Sequence, residues 1–189
     1  MKTNIYFSAI IFIIFSCQDS MEAPPMEDPW IKEDPDCAAF DEKALEIITG
    51  IRFFDDNGSQ FGQAGNPNVT TESPIQIYPN PNNGVIAISK QNNVEYDLFI
   101  FPCVKDTSCS EVDFDEDIFE YSIDSLYTLD STTIDISTQN LQLQFHSNFE
   151  VGYYKLVFFS EGEDVIVENI YFDSSKSRNE IIDFLNGEF

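Results

Sequence analysis

The stretch IQIYPNPNNGVIAIS, Ile75 to Ser89, decides how this chain is read. Ile75 and Ile77 alternate with polar neighbours as a half-buried strand does. Pro79 and Pro81 then remove two backbone donors and fix φ, so the chain there must lie on a sheet edge or leave the sheet. Asn82-Asn83-Gly84 turns it into a second strand, VIAIS. A strand, a proline-rich exit and a return strand argue for an antiparallel β-fold rather than a helical one.

The same periodicity extends in both directions. Upstream, ALEIITGIRFF (Ala44 to Phe54) has β-branched and aromatic character, and DDNG (Asp55 to Gly58) supplies a turn before a return strand, SQFGQ. Downstream, strands are predicted over 95–101, 118–123, 133–136, 141–145, 153–160 and 165–172. TTIDIS and LQLQF alternate, whereas YYKLVFF has the continuous apolar content of a core strand. Many short strands separated by turn signals imply an all-β fold, an antiparallel sandwich over residues 44–172. In the tail, 173–189, SRNEIIDFLNGEF predicts a short helix capped by Asn179, with an apolar stripe of Ile181, Ile182, Phe184 and Leu185 and a stop at Gly187. That stripe is expected to pack back onto the sandwich, the alternative being an exposed partner-binding helix.

Residues 17–43 have another character. Prolines at 24, 25, 29 and 35, many acidic residues and few aliphatics cannot bury enough surface to offset ordering entropy, so a disordered tether is expected, with the only tryptophan, Trp30, inside it. Before it, Lys2 and the apolar run Ile5 to Phe15 have the length of a secretory signal, too short to span a bilayer as a helix. Ile14-Phe15-Ser16-Cys17 resembles the lipobox of bacterial lipoproteins. The resemblance implies removal of residues 1–16 and acylation of Cys17, a stable anchor when several chains are attached. The following Gln18-Asp19-Ser20-Met21-Glu22 is similar to the surface-export signal of Bacteroidetes lipoproteins, which implies an outer-membrane, cell-surface location.

Charge removes two classes of partner. With 9 Lys and Arg against 34 Asp and Glu, a formal net charge of −25, the chain repels nucleic-acid phosphates and anionic lipid head groups. Catalysis also lacks its parts. His146 is the only histidine, and no Gly-x-Ser-x-Gly nucleophile motif is present, so a binding protein is expected rather than an enzyme.

The segment YPNPNNG also resembles the opening of the type A C-terminal sorting domain of type IX secretion cargo, an immunoglobulin-like β-sandwich family of Bacteroidetes. EYDLFIF, TTIDIS, VGYYKLVFF and GEDVIVENIYF are similar to its later segments, so the resemblance covers residues 75–172. It implies that Tyr78, Pro79, Asn80, Pro81, Gly84, Gly152 and Tyr154 are sorting-motif positions. Three features differ from that family. The chain runs on past the closing strand, Glu168 and Asn169 stand where a basic residue is usual, and only residues 17–74 precede the domain in place of a large cargo. A retained module is therefore expected, working as an accessory or structural subunit beside an outer-membrane protein partner. The alternatives are a type IX secretion substrate and a carbohydrate-binding surface lipoprotein.

Of the four cysteines, Cys17 is assigned to lipid. CVKDTSC closes a short loop, so a Cys103–Cys109 disulfide is expected, worth roughly 2–3 kcal/mol in the loop-entropy model, with pairing of Cys37 to either one left open. No cofactor is required by any motif. Asp113, Asp115 and Asp117, two apart in EVDFDEDIFE, would share one face of a strand and supply hard oxygen ligands for Ca2+, set against a solvated acidic loop.

Overall fold

The computed structural model describes residues 44–108, 123–129, 131–145 and 149–189. The signal, the tether with Trp30 and Cys37, the lipidation position Cys17, Cys109, His146, and Asp113, Asp115 and Asp117 lie outside the described residues.

The fold is all-β, with ten strands and two helices among those residues. At its centre is β6 (Tyr96–Lys105), whose ten residues are long enough to take two different neighbours along one edge. β7 (Thr132–Ile136) pairs antiparallel with its first half, Tyr96 to Ile100, and β1 (Ile47–Ile48) pairs parallel with Val104 and Lys105. On its other edge lie β9 (Gly152–Phe159) and then β10 (Ile166–Phe172), both in antiparallel pairing. A second, antiparallel sheet has the order β4 (Ile75–Tyr78), β5 (Val85–Lys90), β8 (Asn140–Gln144). The hairpin β2 (Gly50–Phe54) and β3 (Gln60–Gly65) completes the set.

Alternation sorts the side chains into layers. Leu98, Ile100, Leu156, Phe158, Ile166 and Ile170 from the five-stranded sheet meet Ile75, Ile77, Ile86 and Ile88 from the three-stranded one. Each such side chain withdrawn from water contributes roughly 1.5–3 kcal/mol. The five-stranded sheet is covered on its other face too, which is why its inner strands read as continuous apolar runs. Phe99, Phe101, Val157 and Val167 pack there against Ala44, Leu45 and Leu126. Further along, Ile48, Ile51, Phe53, Ala64 and Tyr171 receive Ile181 and Leu185 of the C-terminal helix.

Local departures from the sequence expectation have local causes. Ala44 to Phe54 is not one strand. Thr49 interrupts it, with its N–H taken by the Asn68 side chain (3.3 Å) and its hydroxyl donating to Asn66 O (2.6 Å), so β1 joins β6 while β2 turns to β3. In the hairpin turn Gly58 alone has positive φ, +80°, and Asp55 Oδ1 accepts from the N–H groups of Asn57 and Ser59. Ile123, assigned to a strand over 118–123, opens helix α1 (Ile123–Tyr127) instead. Helix α2 (Arg178–Glu188) is capped by Ser177, not Asn179: the Ser177 hydroxyl accepts from Glu180 N while the Glu180 carboxylate accepts from Ser177 N, a capping box. It runs through Gly187 rather than stopping there.

Candidate functional site

β10 stands at the edge of its sheet, yet all seven of its residues are buried. An edge strand presents unpaired N–H and C=O groups, and here the loops close that edge. Thr70 N donates to Val167 O (3.0 Å) and Val167 N donates to the Thr70 hydroxyl (2.8 Å). Next along the strand comes YPNPNNG. Asn80 Nδ2 donates to Asn169 O (2.7 Å) and to Arg52 O (2.9 Å), and its Oδ1 accepts from Tyr171 N (3.4 Å). Its backbone exchanges two hydrogen bonds with Phe54. Asn82 N donates to Tyr171 O (3.0 Å), Asp173 N donates to Asn82 O (3.2 Å), and Asn82 Oδ1 accepts from Gly84 N (3.2 Å). Both asparagine side chains are fully buried. The Asn80 carboxamide thus substitutes for a peptide group of a missing neighbouring strand, and Asn82 does the same with its backbone. Proline suits such an edge, since it has no N–H to satisfy; the peptide bonds preceding Pro79 and Pro81 are cis.

Of the predicted motif residues, Asn80 is fastened to β10, Tyr78 ends β4 opposite Ala87 of β5, Pro79, Pro81 and Gly84 flank the fastenings, and Asn83 is exposed at the turn. Gly152 and Tyr154 lie on β9. Gly152 pairs with Phe172, itself bridged to Asn82. Tyr154 is a core residue, its ring 5.9 Å from Phe145 and its hydroxyl donating to Glu150 O (2.7 Å).

Under the same edge lies a buried polar cluster that sequence reading missed. Lys155 and Asn169 are cross-strand partners on β9 and β10, both with no exposed surface. Lys155 Nζ donates to Asn68 O (3.1 Å), and Asn169 Nδ2 donates to Asn68 Oδ1 (2.8 Å) and Gly50 O (2.9 Å). Burial pushes the Lys155 ammonium down to about 7, with Cys103 and Glu168 pulling the other way. Burial likewise raises the Glu168 carboxyl, opposed by Arg52, with which it forms an ion pair. Only the run of apolar residues around Lys155 in YYKLVFF signals that a lysine is going inside.

Cys103 belongs to this region. It carries a free thiol, and Cys109, to which a bridge was expected, lies outside the described residues. The side chain turns inward, where its Sγ donates to Leu45 O (3.1 Å), and burial pushes the thiol up to about 11.

An open cleft of about 520 Å³ lies at the other end of the five-stranded sheet, beside Glu95, Asp97, Asp135 and Glu161, with Tyr96 and Phe159 among its walls. Asp97 and Asp135 are directly opposed on β6 and β7, an arrangement that costs stability when both are charged. Among the described residues no group of three or more His, Cys, Asp or Glu side chains is arranged to hold a metal ion. No helix among them is long and apolar enough to cross a membrane.

The chain matches no family model, and neither curated proteins nor solved structures give a significant match. Its class is therefore carried by its own architecture, an all-β protein with two sheets packed across a shared core.

Proposed function

We propose that this chain is a non-enzymatic, lipid-anchored cell-surface protein whose immunoglobulin-like β-sandwich acts as an accessory or structural subunit of an outer-membrane assembly. The observation that carries the reading is the burial of Asn80 and Asn82. Asn80, the centre of the sorting-like motif, is with Asn82 a fastening of the fold, occupied in closing β10, while Tyr78, Pro79 and Gly152 are half-buried. The segment before them is equally committed: β1 hydrogen-bonds to β6, and β2 is joined through Phe54 to Asn80. A cut at residues 70–74 would separate β1, β2 and β3 from the body they pack into, which argues against a removable address attached to a separate cargo. The N-terminal signal and Cys17 supply the anchor in this reading.

The test is the intact mass of the protein extracted from native membranes, paired with protease accessibility on whole cells. Residues 17–189 plus acyl chains, digested on intact cells, is the expected result. A product ending near Thr70 to Pro74 would mean that the domain is removed after export, and the secretion-substrate alternative would replace this one.

A further inference from the structure

We propose that Lys155 and Asn169 form a self-modifying pair, in which the lysine amine condenses with the asparagine carboxamide to give an isopeptide bond between β9 and β10. The pairing geometry favours it. Asn169 N donates to Glu168 Oε1 (3.1 Å) and Asn169 O accepts from Asn80, so its backbone polar groups point away from β9. Lys155 and Asn169 are therefore a non-hydrogen-bonded cross-strand pair, the kind whose side chains lie closest. Both side chains also converge on Asn68, the amine on its carbonyl oxygen and the carboxamide on its Oδ1. The leaving nitrogen, Asn169 Nδ2, is held by two acceptors, whereas Asn169 Oδ1 is buried without a donor among the described residues.

The chemistry needs no co-reactant. Burial of Lys155 disfavours the charged ammonium, which makes the neutral amine, a nucleophile, accessible. Nζ attacks Cγ of Asn169; the Nζ–Cγ bond forms, the Cγ–Nδ2 bond breaks, and ammonia departs with the proton given up by the amine. That proton passes directly from the attacking amine to the departing Nδ2, since Glu168 meets the Asn169 backbone and pairs with Arg52. Complete burial of both partners excludes water, so hydrolysis of the carboxamide does not compete. The product would tie the edge strand covalently to its neighbour.

Mass spectrometry of the purified full-length chain decides the matter. The unmodified sequence and the chain lacking one ammonia are distinguished by intact mass, with Lys155→Met as the reference that cannot react. A succinimide at an Asn-Gly step loses the same ammonia, so the deciding readout is a branched peptide joining residues 155 and 169 after digestion of denatured protein. That peptide is expected from the wild type and absent from Asn169→Ala and Lys155→Met. Recovery of Lys155 only in linear, unmodified peptides overturns the proposal even if both variants fail to fold. A branch from Lys155 to Asn68 overturns the assignment of Asn169 as acceptor.

Discussion

Replacing Asn80 by alanine isolates the contribution of one side chain to the closure of β10. The backbone bonds between Asn80 and Phe54 survive the change, while Arg52 O, Asn169 O and Tyr171 N each lose a partner. The site is fully buried, so water does not replace them. At about 1 kcal/mol for each lost bond, with buried groups left unsatisfied at the upper end, the expected destabilisation is about 3 kcal/mol. For a domain of this size that is a fall in Tm of roughly 10 °C. Circular dichroism against temperature and urea measures it, and an unchanged urea dependence would show that the unfolded reference is the same. Asn83→Ala is the control, three residues along and exposed, expected to fall within about 0.5 kcal/mol of the parent. Equal shifts for the two variants would refute the idea that Asn80 acts as a surrogate strand. Full stability of Asn80→Ala combined with loss of surface display would instead restore the motif as an address.

Leu185→Ala removes a fully buried side chain from the contact between α2 and the hairpin, and about 3 kcal/mol is expected from urea titration; a loss under about 1 kcal/mol would mean the helix is not docked in solution. Native-state alkylation followed by peptide mapping should leave Cys103 unmodified, since its thiol is buried and held protonated, and denaturation without reductant should expose it. If labelling of Cys103 requires a reductant, it is held in a disulfide, with Cys109 or Cys37 as the partner. Asp173 feels burial, which raises its pKa, but hydrogen bonds from Lys176 and Ser175 outweigh it and hold the carboxyl below its ordinary 3.8. A depressed folded-state value contributes stability that is present above 3.8 and lost as the pH falls through the lowered value. Asp173→Asn should therefore flatten the acid limb of the stability profile, and an unaltered limb would show that the pairing with Lys176 is absent in solution.

Strand placement was legible because it follows from side-chain alternation and from turn residues, both local. Gln60 to Gly65, Ile75 to Tyr78, Val85 to Lys90 and Ile166 to Phe172 announce themselves in this way. The strand predicted at Ile123 failed for the converse reason: a short apolar run fits both periods, and burial of Leu126 against Phe99 and Val167 favours the helix. The helix cap was misplaced by two residues because Ser177 and Asn179 are both good caps, and only Ser177 is followed three residues later by a glutamate that completes a capping box. The polar cluster was beyond reach. Arg52 and Glu168 are 116 residues apart, Asn68 and Asn169 are 101 apart, and nothing in the neighbourhood of either says that they meet. Composition does identify the asparagines of YPNPNNG as turn formers, but their second role as edge closure depends on where β10 falls in the sheet.

The short strand β1 gives the protein a mechanical direction. Just before it, Ala44 and Leu45 are buried beneath the five-stranded sheet. β1 then runs alongside β6 in the same sense, with Val104 N bonded to Glu46 O (2.9 Å) and Asp106 N to Ile48 O (3.0 Å). Tension applied from the N-terminus along that axis loads these bonds together, in shear, and must drag two apolar side chains into water before the sheet feels it. A pull across the axis would open the same bonds one after another. A load applied at Ala44 is thus resisted best when the central strand is aligned with it, and β1 is the first element to yield.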